Sequence, residues 1–244
     1  MSRRPDVGVT PGGLRVISEP IPGLRSVAIG AWIGVGSRFE RQSEAGISHF
    51  LEHMLFKGTP RYSPEEIAQA FDGLGGEVNA ATGKDYTVLY ARVIDELVDR
   101  ALPVLTDMLQ HPALTDLEQE REVVLEEIAM YEDDPQDQVH DLAGQAVFPD
   151  QALGRPVIGT AEVIGSVAEE GVRAYHRSHY TAPNMVLAAA GNVDHDRLTA
   201  LAEELLGDLS PDPDEGVFEP ARPGPPTLVV KEKPTEQYHI CLGG

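Results

Sequence analysis

Apolar and polar residues alternate over Leu14-Arg-Val-Ile-Ser18 with the period of a half-buried strand. Val27 to Val35 is a longer apolar run broken by glycines, consistent with a buried strand. The period then changes. Ser43 to about Phe56 reads as a helix capped by Ser43 and stopped by Gly58 and Pro60. Ser63-Pro-Glu-Glu66 is a capping box with proline in the first turn. Ile67, Ala70, Phe71 and Leu74 follow at helical spacing, and Gly73, Gly75 and Gly76 end that helix. Val78 to Thr82 and Thr87 to Val93 read as strands joined by a turn at Gly83-Lys-Asp85.

Ile94 to Leu109 reads as helical, with Pro103 as a point of kinking. Thr115-Asp-Leu-Glu118 is a second capping box and predicts a helix to about Tyr131. Pro135 to Phe148, Val167 to Tyr180 and Asp194 to Leu206 read as helices, and Met185 to Ala190 as a strand. Helices grouped with alternating strands indicate an α+β fold, a layered sheet with helices packed on it. Composition shifts at Leu209. Ser210-Pro-Asp-Pro-Asp-Glu-Gly and Ala221-Arg-Pro-Gly-Pro-Pro226 are linker-like. Thr227-Leu-Val-Val230 and Tyr238-His-Ile-Cys-Leu242 read as strands with no helices to cover them. The expected organisation is a first domain over 1–208, a linker over 209–226 and the opening strands of a second domain over 227–244.

One stretch carries chemistry. Gly46-Ile-Ser-His-Phe-Leu-Glu-His-Met-Leu-Phe-Lys-Gly58 contains an H-x-x-E-H motif at His49, Glu52 and His53. At ~100° per residue, these three and Phe56 share one helical stripe. Phe50, Leu51, Met54 and Leu55 cover the other sides, which predicts a buried helix whose polar groups need partners. Two imidazoles on one face can grip one metal ion, and the adjacent carboxylate can take a proton from a water on it. A hydrolytic zinc site takes three protein ligands and leaves a position for water.

The helix after Thr115 offers the third ligand. Glu120, Val124, Glu127 and Tyr131 form one stripe close to Leu117, whereas Glu118, Glu122 and Glu126 lie on the far side. A carboxylate in an apolar stripe is unusual unless paired or metal-bound. Helical phase thus leaves Glu127 or Glu120 as ligand, with the other as an orienting group. His176 and His179 are three residues apart without a glutamate between them and read as structural. His111, His140, His195 and His239 stand alone, and Gly73-x-Gly75-Gly76 is too loose for a phosphate cradle. There is no G-x-S-x-G and no Walker loop.

Composition narrows the partners. The 244 residues are 41% apolar and 24% charged, ordinary for a globular protein able to bury a sizeable core. The formal net charge of −21 argues against nucleic acid or an anionic membrane and permits attraction of basic ligands. Cys241 is the only cysteine, so no intrachain disulfide and no thiolate metal cluster can form. That suits a reducing compartment. Val7 to Val16 is broken by Gly8, Pro11, Gly12 and Gly13, and so offers no signal-peptide core. The longest apolar run, Met185 to Ala190, is too short for a bilayer. The expected location is cytoplasmic, with no membrane partner.

These residues resemble the inverted-motif zinc peptidases related to pitrilysin, insulysin and the mitochondrial processing peptidase, most closely the bacterial processing-protease-like branch. Essentially the whole chain is covered. The markers, in order, are Gly36-Ser-Arg-Phe-Glu40, His49-Phe-Leu-Glu-His-Met-Leu-Phe-Lys-Gly-Thr59, Gly75-Gly-Glu-Val-Asn-Ala-Ala-Thr82 and Glu120-Arg-Glu-Val-Val-Leu-Glu-Glu127. Leu153-Gly-Arg-Pro-Val-Ile-Gly-Thr160 and Tyr180-Thr-Ala-Pro-Asn-Met185 follow. The resemblance implies one Zn2+ per chain, bound by His49, His53 and Glu127, with Glu52 as general base and Glu120 in support. It implies that Asn79 and Ala80 lie on a strand that pairs with an extended peptide substrate.

The resemblance also implies one half of a two-domain clamshell metallopeptidase. A second homologous domain or subunit would supply further binding and transition-state residues, and the full-length protein would be a homodimer. The match breaks off at about Thr227, where that half begins, so a fragment is expected to be weak or inactive alone. An acidic chamber would favour basic or presequence-like peptides. Two rival readings stand beside this one. A non-catalytic partner subunit of the same fold is disfavoured by the intact motif positions. A zinc hydrolase of a non-peptide substrate is disfavoured by the block around Asn79.

Overall fold

The computed structural model describes residues 4–212, 219–234 and 236–243. Its frame is a mixed sheet of six strands: β1 (Asp6–Val9), β2 (Arg15–Pro20), β3 (Ser26–Ile33), β4 (Glu77–Thr82), β5 (Thr87–Ile94) and β6 (Met185–Gly191). The spatial order is β1-β2-β6-β3-β5-β4. β6 comes late in the chain yet lies at the centre, parallel to β2 (Arg15 opposite Val186) and antiparallel to β3 (Ile33 opposite Met185). All other pairs are antiparallel. Among the described residues β4 pairs with β5 alone and forms one edge of the sheet.

Strand alternation separates the two faces. Val27, Ile29, Ala31 and Ile33 of β3 are buried with Leu89, Ala91 and Val93 of β5 and Leu187 of β6. Helices cover this face: α1 (Ile47–Met54) lies against β4, α3 (Val98–Gln110) against β5 and α8 (His195–Leu206) against β2. Trp32, Tyr90 and Ile94 point to the opposite, exposed face. Helices α2 (Pro64–Gly73), α4 (Leu117–Asp133), α5 (Pro135–Val147), α6 (Ala161–Ser166) and α7 (Glu169–His179) complete the layer. The α+β layered architecture expected from the pattern is the one formed. Among the described residues no helix is long and apolar enough to cross a membrane.

The Ser63 capping box forms: Ser63 Oγ accepts from Glu66 N–H at 3.2 Å, and Glu66 Oε2 accepts from Ser63 N–H at 2.8 Å. α3 runs unbroken across Pro103. Other expectations need correction. Ser43 does not cap α1. It lies in a single turn over 42–44, and the helix starts at Ile47 after Gly46, whose φ of 95° is left-handed. The helix N-terminus is capped from outside by the buried Glu40 carboxylate, which accepts from Gly46 N–H at 2.8 Å and Ser48 N–H at 2.9 Å.

The Thr115 capping box does not form either. Asp116 takes φ 60°, Thr115 Oγ1 donates to the Lys57 carbonyl, and Glu118 turns to Arg121 at 3.1 Å. β1 and α6 were not predicted, because both are short and weakly patterned. Residues 227–234 and 236–243 form no strand here, with Leu228 and Tyr238 almost fully exposed. A strand exists only when a neighbour takes its N–H and C=O groups, and no sheet edge pairs with this segment. Residues 213–218 of the expected linker, with Thr235 and Gly244, lie outside the described residues.

Candidate metal centre

α1 is short, and its apolar sides are fully sunk: Phe50, Leu51, Met54 and Leu55 have no exposed surface. The remaining stripe carries His49, Glu52 and His53, all half-buried, on a helix packed against both α4 and β4. His49 Nε2 lies 3.8 Å from Glu127 Oε2, and His53 Nε2 lies 3.4 Å from the same oxygen. Among the described residues, these three side chains form the one cluster able to share a metal ion, with ligand atoms within 4.8 Å of one another. Tetrahedral zinc with bonds of ~2.0–2.2 Å would separate its ligands by about 3.3–3.6 Å. The two distances to Glu127 fit that ion with small adjustment.

The donor chemistry fits as well. His53 Nδ1 is 2.8 Å from Glu120 Oε1. A carboxylate there accepts the Nδ1 proton and leaves the Nε2 lone pair facing Glu127. Burial, then the neighbouring His53, pushes the His49 imidazole down to about 4, so it is neutral at pH 7 and able to bind a cation. Phase analysis left Glu120 and Glu127 open. Glu120 is buried against His53 and Lys57, whereas Glu127 is half-buried and faces both imidazoles. Glu118, Glu122 and Glu126 are exposed, on the far side of α4.

Glu52 is held from the side of the sheet. Its Oε2 accepts a 2.5 Å hydrogen bond from Thr82 Oγ1, at the end of the edge strand β4. Burial raises the Glu52 carboxyl, while the Thr82 hydrogen bond and His53 act in the opposite direction. Val78, Ala80 and Thr82 face α1, with Ala80 buried. Glu77, Asn79 and Ala81 alternate to the exposed face. Asn79 Oδ1 accepts from Ala80 N–H at 2.9 Å. The structure thus brings Asn79 and Ala80 to an unpaired strand edge running beside Glu52.

Sequence reasoning gave no role to Thr82, Glu40 or Lys57, though each lies in a quoted block. Thr82 had one usable signal: it shares strand phase with Ala80. His176 and His179 are structural, as expected. His176 Nε2 donates to the Leu109 carbonyl at 2.7 Å, and His179 is buried with its ring 4.4 Å from that of Tyr175.

A helix-covered sheet with two imidazoles and a carboxylate around one point, and a second carboxylate beside them, defines a metallohydrolase-type site. The chain belongs to the insulinase family of peptidases, family M16: its profile matches residues 15–161, and that of the M16 inactive domain matches residues 166–243. An uncharacterized zinc protease of Mycobacterium leprae is 43% identical over 243 residues, covering 96% of this chain and 54% of the relative. One from Bacillus subtilis is 44% identical over 233 residues, covering 95% and 56%.

Among solved structures, a protease from Helicobacter pylori superposes with a TM-score of 0.83 at 22% identity, over 91% of this chain and 54% of that one. A peptidase M16 inactive domain from Pseudomonas fluorescens gives 0.81 at 19%, over 90% and 54%. These two likenesses establish the fold. The chain spans about half the length of the relatives it matches.

Proposed function

We propose that this chain is the zinc-binding half of an endopeptidase that hydrolyses extended peptides. The observation that carries the reading is the convergence of His49 Nε2, His53 Nε2 and Glu127 Oε2 beside Glu52. His49, His53 and Glu127 would hold one zinc ion, and Glu120 would orient His53. Bound there, zinc supplies Lewis acidity that eases loss of a proton from water and polarises a carbonyl. Glu52 would take a proton from water through the carboxylate oxygen not engaged by Thr82 as the water oxygen adds to the scissile carbonyl carbon, and would deliver that proton to the nitrogen as the C–N bond breaks. Burial raises its carboxyl, which favours return of the proton.

Asn79 and Ala80 lie on the open edge of β4, so an extended peptide can add as a further strand and place its carbonyl at Glu52. Asp137 and Asp141 of α5 act with Glu127 to raise the Tyr131 phenol beyond the effect of burial. Three carboxylates, one of them the candidate ligand Glu127, thus act on one phenol of α4, and with the net charge of −21 this supports a preference for basic or presequence-like peptides. A second homologous domain or subunit would close over this face, with 227–244 contributing its first strands and the 209–226 segment as linker. We place the assembly in the cytoplasm as a homodimer.

Three substitutions in a chain of the relatives' length test the assignment. Glu52→Gln retains zinc and loses peptide cleavage by a factor of at least ~10². Glu127→Gln loses zinc stoichiometry, and Glu120→Gln is milder. Turnover retained in Glu52→Gln removes Glu52 as base, and the opposite order of the other two reverses the roles of the carboxylates.

A further inference from the structure

Resting on the metal-site reading, we propose that Lys57 is a positioning residue that sets the metal affinity of the centre through Glu120. Lys57 Nζ lies 2.5 Å from Glu120 Oε2, while Glu120 Oε1 meets His53 Nδ1 at 2.8 Å. One buried carboxylate is thus shared between an ammonium and an imidazole, one on each oxygen. Glu120 has only 4% of its side chain exposed, and a charge so placed is costly unless compensated. Lys57 is the full cation beside it. The ammonium anchors one oxygen, so the other stays on His53 and fixes the ring orientation and tautomer that present Nε2 to Glu127.

The backbone aims Lys57 there. It follows the last turn of α1, with its N–H on the Met54 carbonyl at 3.2 Å. Gly58 then turns with φ 100°. The Gly58 carbonyl accepts from Ala113 N–H at 2.9 Å, and the Lys57 carbonyl accepts from Thr115 Oγ1. The exit of α1 is therefore stitched to the approach of α4. The ammonium completes this stitch with a charge, holding the imidazole helix and the carboxylate helix in one register. Removing the ammonium frees Glu120 to turn toward solvent and release His53.

The test is zinc affinity, read by competition with a chromophoric chelator on the full chain. The variants are Lys57→Met, Lys57→Gln, Lys57→Arg and Glu120→Gln, with thermal unfolding of each metal-free protein alongside. Lys57→Met and Lys57→Gln weaken zinc binding roughly tenfold, the lower end of what loss of an outer partner costs. Lys57→Arg, which keeps the charge, retains most of the affinity. On the Glu120→Gln background, Lys57→Met adds little, because both act through one carboxylate.

Wild-type affinity in folded Lys57→Met or Lys57→Gln overturns the proposal. So does an undiminished loss on the Glu120→Gln background. A merely structural lysine would lower the unfolding temperature and leave affinity intact, which also overturns it. Absence of zinc binding by the wild-type chain would remove the metal-site reading itself, a result distinct from all of these.

Discussion

His49 and His53 stand one turn apart on α1 and meet different surroundings. His53 Nδ1 has Glu120, whereas His49 Nδ1 is buried with no hydrogen-bond partner among the described residues. Burial, then repulsion from His53, pushes His49 to about 4 from an ordinary 6.5. Between those values the unfolded chain binds the proton and the folded chain does not. Stability therefore falls as pH drops through this window and is recovered above about 6.5, by on the order of 3 kcal/mol at the limit. Denaturant unfolding of the metal-free chain at pH 7 and near pH 4.5 checks this. Wild type should lose more stability over the interval than His49→Gln, and equal losses would mean the imidazole is not held neutral by burial. At this scale the motif made His49, Glu52 and His53 legible, and helical phase isolated Glu120 and Glu127. Strand phase with Ala80 was the one signal for Thr82, while Lys57 and Glu40 carried none, because their roles depend on which side chains tertiary packing brings to them.

Elements were legible where local chemistry decided them. Ser63 caps α2 through residues adjacent in sequence, so the box read from the chain is the box formed. Thr115 precedes α4 with the same pattern, but Leu114 and Asp116 adopt left-handed φ values of 53° and 60° to join Lys57 and Gly58, and tertiary contact overrides the box. α1 shows the same override: Glu40, not Ser43, satisfies its first N–H groups. Gly46 makes that entry possible. Its φ is 95°, and a Cβ there would come 2.6 Å from the Ile158 carbonyl oxygen and 2.8 Å from Gly159 Cα. Gly46→Ala is therefore expected to cost at least about 2 kcal/mol through strain and overlap. Thermal unfolding should register this as a midpoint lower by about 4–8 °C. An unchanged midpoint would show that the turn before the metal helix relaxes freely. The segments 227–234 and 236–243 form no strand here for the complementary reason, since apolar alternation specifies a face but not a neighbour.

For the whole molecule, the net charge of −21 sets a long-range field, to which Glu127, Asp137 and Asp141 add around Tyr131. In a full-length protein, kcat/KM for a basic peptide should fall as salt rises from about 0.05 to 0.5 M, while a neutral peptide of equal length changes little. Equal salt responses would place the effective charge away from the candidate metal centre. The sheet carries a different consequence. β6 must reach its place between β2 and β3 before either has both neighbours, and about 150 residues separate the end of β3 from its start. On a ribosome adding ~5–20 residues per second, β3 waits roughly 8 to 30 s for that partner. During this interval β2 and β3 present bare edges that can join each other wrongly or join another nascent chain. Completion of this sheet therefore waits on β6, which is synthesised well after His49, Glu52, His53, Glu120 and Glu127.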